Sequence, residues 1–277
     1  MRILTWAFAG AALCAAVMRA DAQRRPGSQG FGRYFGNPND FWEPPDYRGN
    51  TPYDGRFTFV RVKYRGYAHM TNEGPGWAHD YPWGETNFVK ILRDVSIVKP
   101  FVENGPMAGS VLISMDDNMI FKYPVAYLSE PGGWDASEKE LANMRAYLLK
   151  GGFMIFDDFR ENWRGDFDFT HLRQLMAVAM PKAQWVQLTG KEPIFDSFFK
   201  IDLSAAVNST SAYGTNPPTY WGIYQDNDPK KRLMVIADVD NDIGDSWQWS
   251  ASGFEPVAST NEIYKLGINY VIYALTH

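Results

Sequence analysis

The sequence predicts an α/β fold: a doubly wound, mainly parallel sheet in a single domain running from about residue 56 to 277. Three observations predict it. Short apolar runs alternate along the chain with amphipathic helical segments, the pattern of βαβ units. The run at 153–156 (FMIF) is apolar throughout, as in strands covered on both faces. And 277 residues with 45% hydrophobic and 21% charged content suit one large core, with no internal repeat to suggest another architecture.

The elements follow in order. Residues 57–64 (FTFVRVKY) alternate apolar and polar side chains at strand period. Asn87 to Val95 forms a short amphipathic helix with Phe88, Ile91, Leu92 and Val95 on one face. Val111-Leu112-Ile113 and 124–128 (PVAYL) are buried strands. Asp135 to Lys150 is the clearest helix. Asp135 or Ser137 caps it with Glu138 or Glu140 completing a capping box, Leu141, Met144 and Leu148 mark its buried stripe, and Gly151-Gly152 stops it. The FMIF strand ends in Asp157-Asp158. A helix from Phe169 to Met180, a strand from Gln184 to Leu188 and an irregular stretch containing Asn216-Pro217-Pro218 come next. A buried strand from Leu233 to Ala237 and a helix from Asn261 to Leu275 close the chain.

Ahead of this domain, residues 1–22 read as a secretory signal. Arg2 precedes a mostly apolar run from Ile3 to Met18, and Ala20-Asp21-Ala22 offers a cleavage site before Gln23. The run is shorter than the ~20 residues of a membrane-spanning helix. The expected location is therefore periplasmic or secreted, with no transmembrane span after cleavage. Residues 23–55 are rich in Gly, Pro, Asn and Asp, with unpatterned aromatics, and read as an N-terminal linker.

Composition excludes several functions. A net charge of −5 lacks the basic excess of a nucleic-acid binder. The only cysteine, Cys14, lies in the signal, so the mature chain has no thiol nucleophile, thiolate metal site or disulfide. His69, His79, His171 and His277 show no H-x-x-x-H spacing, and G-x-S-x-G and phosphate-loop motifs are absent.

In open α/β sheets, ligands bind beyond the carboxyl ends of the strands. Polar clusters fall at those ends: Arg65 to Asn72, Ser129-Glu130, Asp157-Asp158 and Asp238 to Asp245. Neighbouring carboxylates such as Asp157 and Asp158 can bind a divalent cation, hold a hydroxyl or share a proton, or else cap backbone N–H groups. Successive residues of an extended chain point to opposite sides, so at most one of the two faces a common site. Asp238, Asp240 and Asp242 open like a calcium loop, but Gly244 falls at the seventh position and Trp249 at the twelfth, which excludes an EF-hand and leaves an acidic, solvated turn or a looser oxygen-rich calcium site over 238–245. The stretch from Gly76 to Trp83 carries Trp77, Trp83 and Tyr81 beside His79-Asp80, an aromatic platform with polar handles or a loop clamp. Asn208-Ser209-Thr210 fits a glycosylation sequon.

Seven stretches together resemble one family: FTFVRVKY (57–64), GWAHDYPWGETNFVKIL (76–92), PVAYLSEPG (124–132), YLLKGGFMIFDDF (147–159), PIFDSFFKI (193–201), RLMVIADVDNDIGDSWQW (232–249) and LGINYVIYALTH (266–277). They resemble, in order, the domain of unknown function 4159 family of exported or membrane-associated bacterial proteins. The resemblance implies a flavodoxin-like fold similar to class I glutamine amidotransferases. It does not bring their activity, because that chemistry needs a Cys–His pair. Two points depart from the family pattern, Lys191-Glu192-Pro193 in place of D-H-P and Trp247-Gln248 in place of W-E.

Two functional expectations follow. In the first, the chain is a non-catalytic binding or assembly module for an envelope ligand or protein partner, with ligand-binding residues Asp80, Tyr81, Glu130, Asp157, Asp158, Asp242 and Trp247. In the second, it is a metal-assisted or acid–base hydrolase of an envelope glycan, peptide or ester, with Asp157, Asp158, Glu130 and His79 as catalytic groups. A divalent cation is the one cofactor either reading admits, with Asp157, Asp158 and Asp242 as candidate ligands.

Overall fold

The computed structural model describes residues 43–44, 47, 49–66, 74–102, 109–159, 168–208 and 216–277. The signal expected over 1–22, most of the linker and His69 lie outside the described residues. The strands are β1 (Phe59–Lys63), β2 (Ser110–Ser114), β3 (Val125–Ser129), β4 (Phe153–Phe159), β5 (Trp185–Leu188), β6 (Thr219–Tyr224) and β7 (Leu233–Val239). The helices are α1 (Trp83–Val95), α2 (Glu138–Leu149), α3 (Asp168–Ala179), α4 (Ile243–Gln248) and α5 (Val257–Thr276), with short 3-10 turns between elements.

The strands form a seven-stranded sheet in the order β2-β1-β3-β4-β7-β6-β5. Pairing is parallel from β2 through β7 and antiparallel at β7·β6 and β6·β5. The domain is α/β as expected, and its sheet is mixed because β6 runs against its neighbours. This strand follows the Asn216-Pro217-Pro218 stretch and carries Gly222 at its centre, so neither its boundary nor its alternation marks it. A Cβ at Gly222 would come within 2.5 Å of Leu233, which accounts for glycine there.

Strand parity sorts the core into two layers. Ala126, Leu128, Met154 and Phe156 face α2 and α3. Val125, Tyr127, Phe153 and Ile155 face α1, α4 and α5. Helices thus cover both faces, and side chains such as Phe88 and Leu92 of α1 are fully buried, each stabilising by about 1.5–3 kcal/mol. The α2 helix has the anticipated start: Ser137 accepts from the Glu140 N–H and Glu140 returns to the Ser137 N–H, a reciprocal capping box. It stops at Gly151, whose φ of 111° suits a glycine.

Several elements differ from the sequence expectation. Helix α1 begins at Trp83 rather than Asn87, because its first turn buries polar side chains, Glu85 and Thr86, that hydrophobic periodicity does not register. Strand β4 runs through Asp157 and Asp158 to Phe159 instead of ending before them. Residues 243–245, the end of the 238–245 stretch read as a loose calcium site or an acidic turn, open α4, which runs to Gln248. The end of the linker is ordered against the sheet: Asn50 exchanges two hydrogen bonds with Leu112 (3.0 and 2.8 Å), and the Thr51 N–H donates to Ser110. These bonds cover the exposed edge of β2. Among the described residues, no helix is long and apolar enough to cross a membrane.

Candidate functional site

The site lies at the carboxyl ends of β1, β3, β4 and β7, and it has two sides. On the side facing α1, α4 and α5, strand parity places Arg61, Tyr127 and Asp157 on one face, with Arg61 level with Tyr127 and Asp157 two residues further toward the strand ends. Arg61 is 1% exposed. Its Nε pairs with Glu85 of α1, and its Nη1 donates to the carbonyls of Trp77 (3.0 Å) and His79 (2.8 Å). Its guanidinium lies 4.9 Å from the Tyr127 ring centre. Burial opposes the Arg61 charge, but Glu85, Tyr127 and Asp80 outweigh that, and its pKa stands above the ordinary arginine value. One buried cation therefore fixes the loop that carries His79 and Asp80.

Asp157 is wholly buried. It accepts from the Tyr127 hydroxyl (2.7 Å), the Gly244 N–H (3.0 Å) and the Ile243 N–H (3.1 Å), so a strand-end carboxylate meets the first N–H groups of α4. Burial pushes its carboxyl up to about 7, opposed by the Tyr127 bond and reinforced by Asp158. Asp238 accepts from the Tyr270 hydroxyl at 2.8 Å and is also raised, by burial and then by Asp157. Asp242 caps α4 through the Asp245 N–H at 2.7 Å. Its carboxyl is raised by burial and then by Asp158, Asp80 and Asp245. The buried Asn208 side chain donates to the Asp242 carbonyl and the Asp245 carboxylate, so this sequon asparagine is structural.

The other side is built around Asp158. The β4–β7 register shifts between Phe156 and Phe159, and Asp158 sits in this bulge with φ 59°. A bulge of this kind re-aims a side chain. Its carboxylate joins the His79 imidazole and the Glu130 carboxylate, with one donor atom from each lying within 4.8 Å of the others. His79 Nδ1 and Glu130 Oε1 are 2.6 Å apart. Glu130 occupies the strand-to-helix turn after β3 with φ 48°, and its carbonyl accepts from the Tyr64 hydroxyl. Gly76 borders the Glu130 carboxylate so closely that a Cβ would overlap it. A second group, Asp80, Asp242 and Asp245, also has donor atoms within 4.8 Å of one another.

The structure thus brings together His79, Glu130 and Asp158 on one side, and Asp80 and Asp242 beside them. It turns Asp157 to α4. Tyr81 is half-buried, with burial and Glu85 pushing its hydroxyl up to about 12. Trp247 is 1% exposed and packs against Phe88, Tyr127 and Phe59 with ring centres 4.4–6.3 Å away, so its ring belongs to the core. Of the anticipated aromatic platform, Trp77 is equally buried and Trp83, like Tyr81, is half-buried. Sequence reasoning missed Arg61, Glu85 and Tyr127. The available signal was an arginine at the centre of a strand whose neighbours are apolar on both parities, a position that demands a buried partner.

The family model described as Domain of unknown function (DUF4159) matches residues 58–275, and the chain belongs to that family. Comparison with curated proteins finds no match.

Proposed function

We propose that this chain is an exported, non-catalytic binding or assembly module. Its ligand site is the end of the sheet lined by His79, Glu130 and Asp158, on a flavodoxin-like scaffold similar to class I glutamine amidotransferases. The observation that carries the reading is the convergence of those three buried side chains at the strand ends, where open α/β sheets hold ligands. Two further features support the scaffold. Counted alone, the parallel strands β2-β1-β3-β4-β7 follow the flavodoxin order 2-1-3-4-5. The turn after β3 has the strained strand-to-helix build of a nucleophile elbow. It presents a carboxylate, Glu130, where acyl transfer from an amide would need a thiol.

The proposal includes cleavage of residues 1–22 on export. Fractionation and N-terminal sequencing test it: a secreted or periplasmic chain beginning at Gln23 is the expected result, and a cytoplasmic chain starting at Met1 overturns it.

The same convergence favours one other reading, a metal-assisted or acid–base hydrolase of an envelope glycan, peptide or ester. The purified protein is incubated with glutamine and with chromogenic esters, glycosides and peptides, with and without Zn²⁺. No turnover above the blank is expected. Hydrolysis that disappears in Asp158→Asn would replace the binding module with the hydrolase.

A further inference from the structure

We infer that the ligand of this site is a first-row divalent cation of the zinc or manganese kind, held by the His79 imidazole and the Glu130 and Asp158 carboxylates. The inference rests on the strand ends being the ligand site and names what they take.

Geometry comes first. The three donors arise from separate segments: the loop before α1, the turn after β3 and the bulge in β4. Their ligand atoms lie within 4.8 Å of one another. Donors bound at about 2.1 Å to a common ion stand roughly 3–3.5 Å apart in tetrahedral or cis-octahedral geometry, so an ion opens the 2.6 Å contact of His79 Nδ1 with Glu130 Oε1, and small side-chain movements bring the three donors to that spacing.

Donor chemistry selects the ion. One imidazole and two carboxylates suit zinc, iron or manganese. Calcium takes six to eight oxygens and gains nothing from an imidazole.

Charge supplies an independent argument. Asp80, Glu130, Asp157, Asp158 and Asp242 are all buried, and Arg61 is the one buried Lys or Arg among the described residues. That guanidinium is already paired with Glu85. A divalent cation beside the imidazole offsets buried negative charge that this one guanidinium does not.

The surroundings are also built to hold the donors still. Arg61 fixes the His79 carbonyl and Tyr64 fixes the Glu130 carbonyl, while Gly76 leaves room for the Glu130 carboxylate. Outer partners of this sort orient metal ligands. Glu130 and Asp158 both keep left-handed backbone conformations, which cost energy in residues other than glycine and persist where a site requires them.

The test is calorimetric titration of the EDTA-stripped protein with Zn²⁺, Mn²⁺ and Ca²⁺, repeated on His79→Gln, Glu130→Gln and Asp158→Asn, with the surface variant Asp94→Asn as control. The expected result is one Zn²⁺ or Mn²⁺ per chain, Ca²⁺ at least tenfold weaker, and at least tenfold loss in each site variant but not in the control. Zinc-edge X-ray absorption on the unmutated protein keeps the test open should a variant fail to fold, and imidazole scattering around the ion is expected. Uptake unchanged in the site variants, calcium binding as tight as zinc, absence of imidazole scattering or no uptake at all would each overturn the assignment. Turnover, which decides between module and hydrolase, is read separately and does not depend on these outcomes.

Discussion

Replacing Asp157 by alanine should cost the fold far more than an ordinary strand-end substitution. The carboxylate accepts from the Tyr127 hydroxyl and from the N–H groups of Ile243 and Gly244, at a position with no solvent exposure. Alanine leaves those donors without this acceptor in a place water does not reach, at about 1–3 kcal/mol for each group. Removing a buried carboxyl that burial has pushed up to about 7 recovers part of that cost. The net expected loss is about 3–5 kcal/mol, a fall in Tm on the order of 10 °C for a domain of this size. Asp157→Asn keeps a carbonyl oxygen for the Ile243 and Gly244 donors and should cost only about 1–2 kcal/mol. Urea unfolding followed by circular dichroism in EDTA gives both numbers by linear extrapolation. An alanine cost below about 1 kcal/mol would refute the capping role, as would an asparagine variant as damaged as the alanine one.

Three further outcomes follow from neighbouring contacts. Arg61→Met strands Glu85 in the core and should cost about 3–5 kcal/mol, most of which Arg61→Met/Glu85→Gln recovers; equal stability of the single and double variants in urea would exclude coupling. Gly244→Ala places a Cβ 2.6 Å from both Asp80 Oδ2 and the Tyr127 hydroxyl, and a loss of about 1–3 kcal/mol in the same assay is expected, against no change if α4 can shift freely. Burial, and then Asp245, raise Glu255 to about 7 against its bond to Ser246, above its unfolded value. The folded state therefore binds more protons than the unfolded state between those values, and this stabilisation is present in acid and lost as pH rises through 7. The fall in Tm from pH 5 to 8 should be shallower in Glu255→Gln, and an unchanged slope would refute the assignment.

Much of the fold is legible in the sequence because its strands are central and its helices amphipathic. The capping box at Ser137 and Glu140, the glycine stop at Gly151 and the FMIF strand are local signals that tertiary structure leaves in place. Strand β6 is not legible, since a proline pair precedes it and Gly222 interrupts its side-chain pattern. Helix α4 is not legible because much of its definition is tertiary: its first N–H groups are met by Asp157, far away in the chain. At the site, Glu130, Asp158 and Asp242 stand out as polar residues after strands, and His79 as the polar handle of the aromatic stretch before α1. Arg61 does not, because FTFVRVKY reads as a strand with one wet face. In a sheet covered on both sides there is no wet face, and the arginine must find Glu85 on a helix that hydrophobic periodicity starts too late.

Asp157 and Asp158 show how two adjacent like residues take opposite tasks. A regular strand would send them to opposite faces by parity alone. The bulge at this point adds to that, because Asp158 adopts a left-handed conformation and joins donors from two other loops. Asp157 keeps the regular parity and ties the start of α4 to the sheet. The position of α4 in turn sets where Asp242 stands beside Asp80. Asp157 therefore determines part of the field in which Asp158 stands. On the proposed assignment of Asp158 to the ligand, substitutions at 157 and 158 should separate into effects on stability and effects on binding.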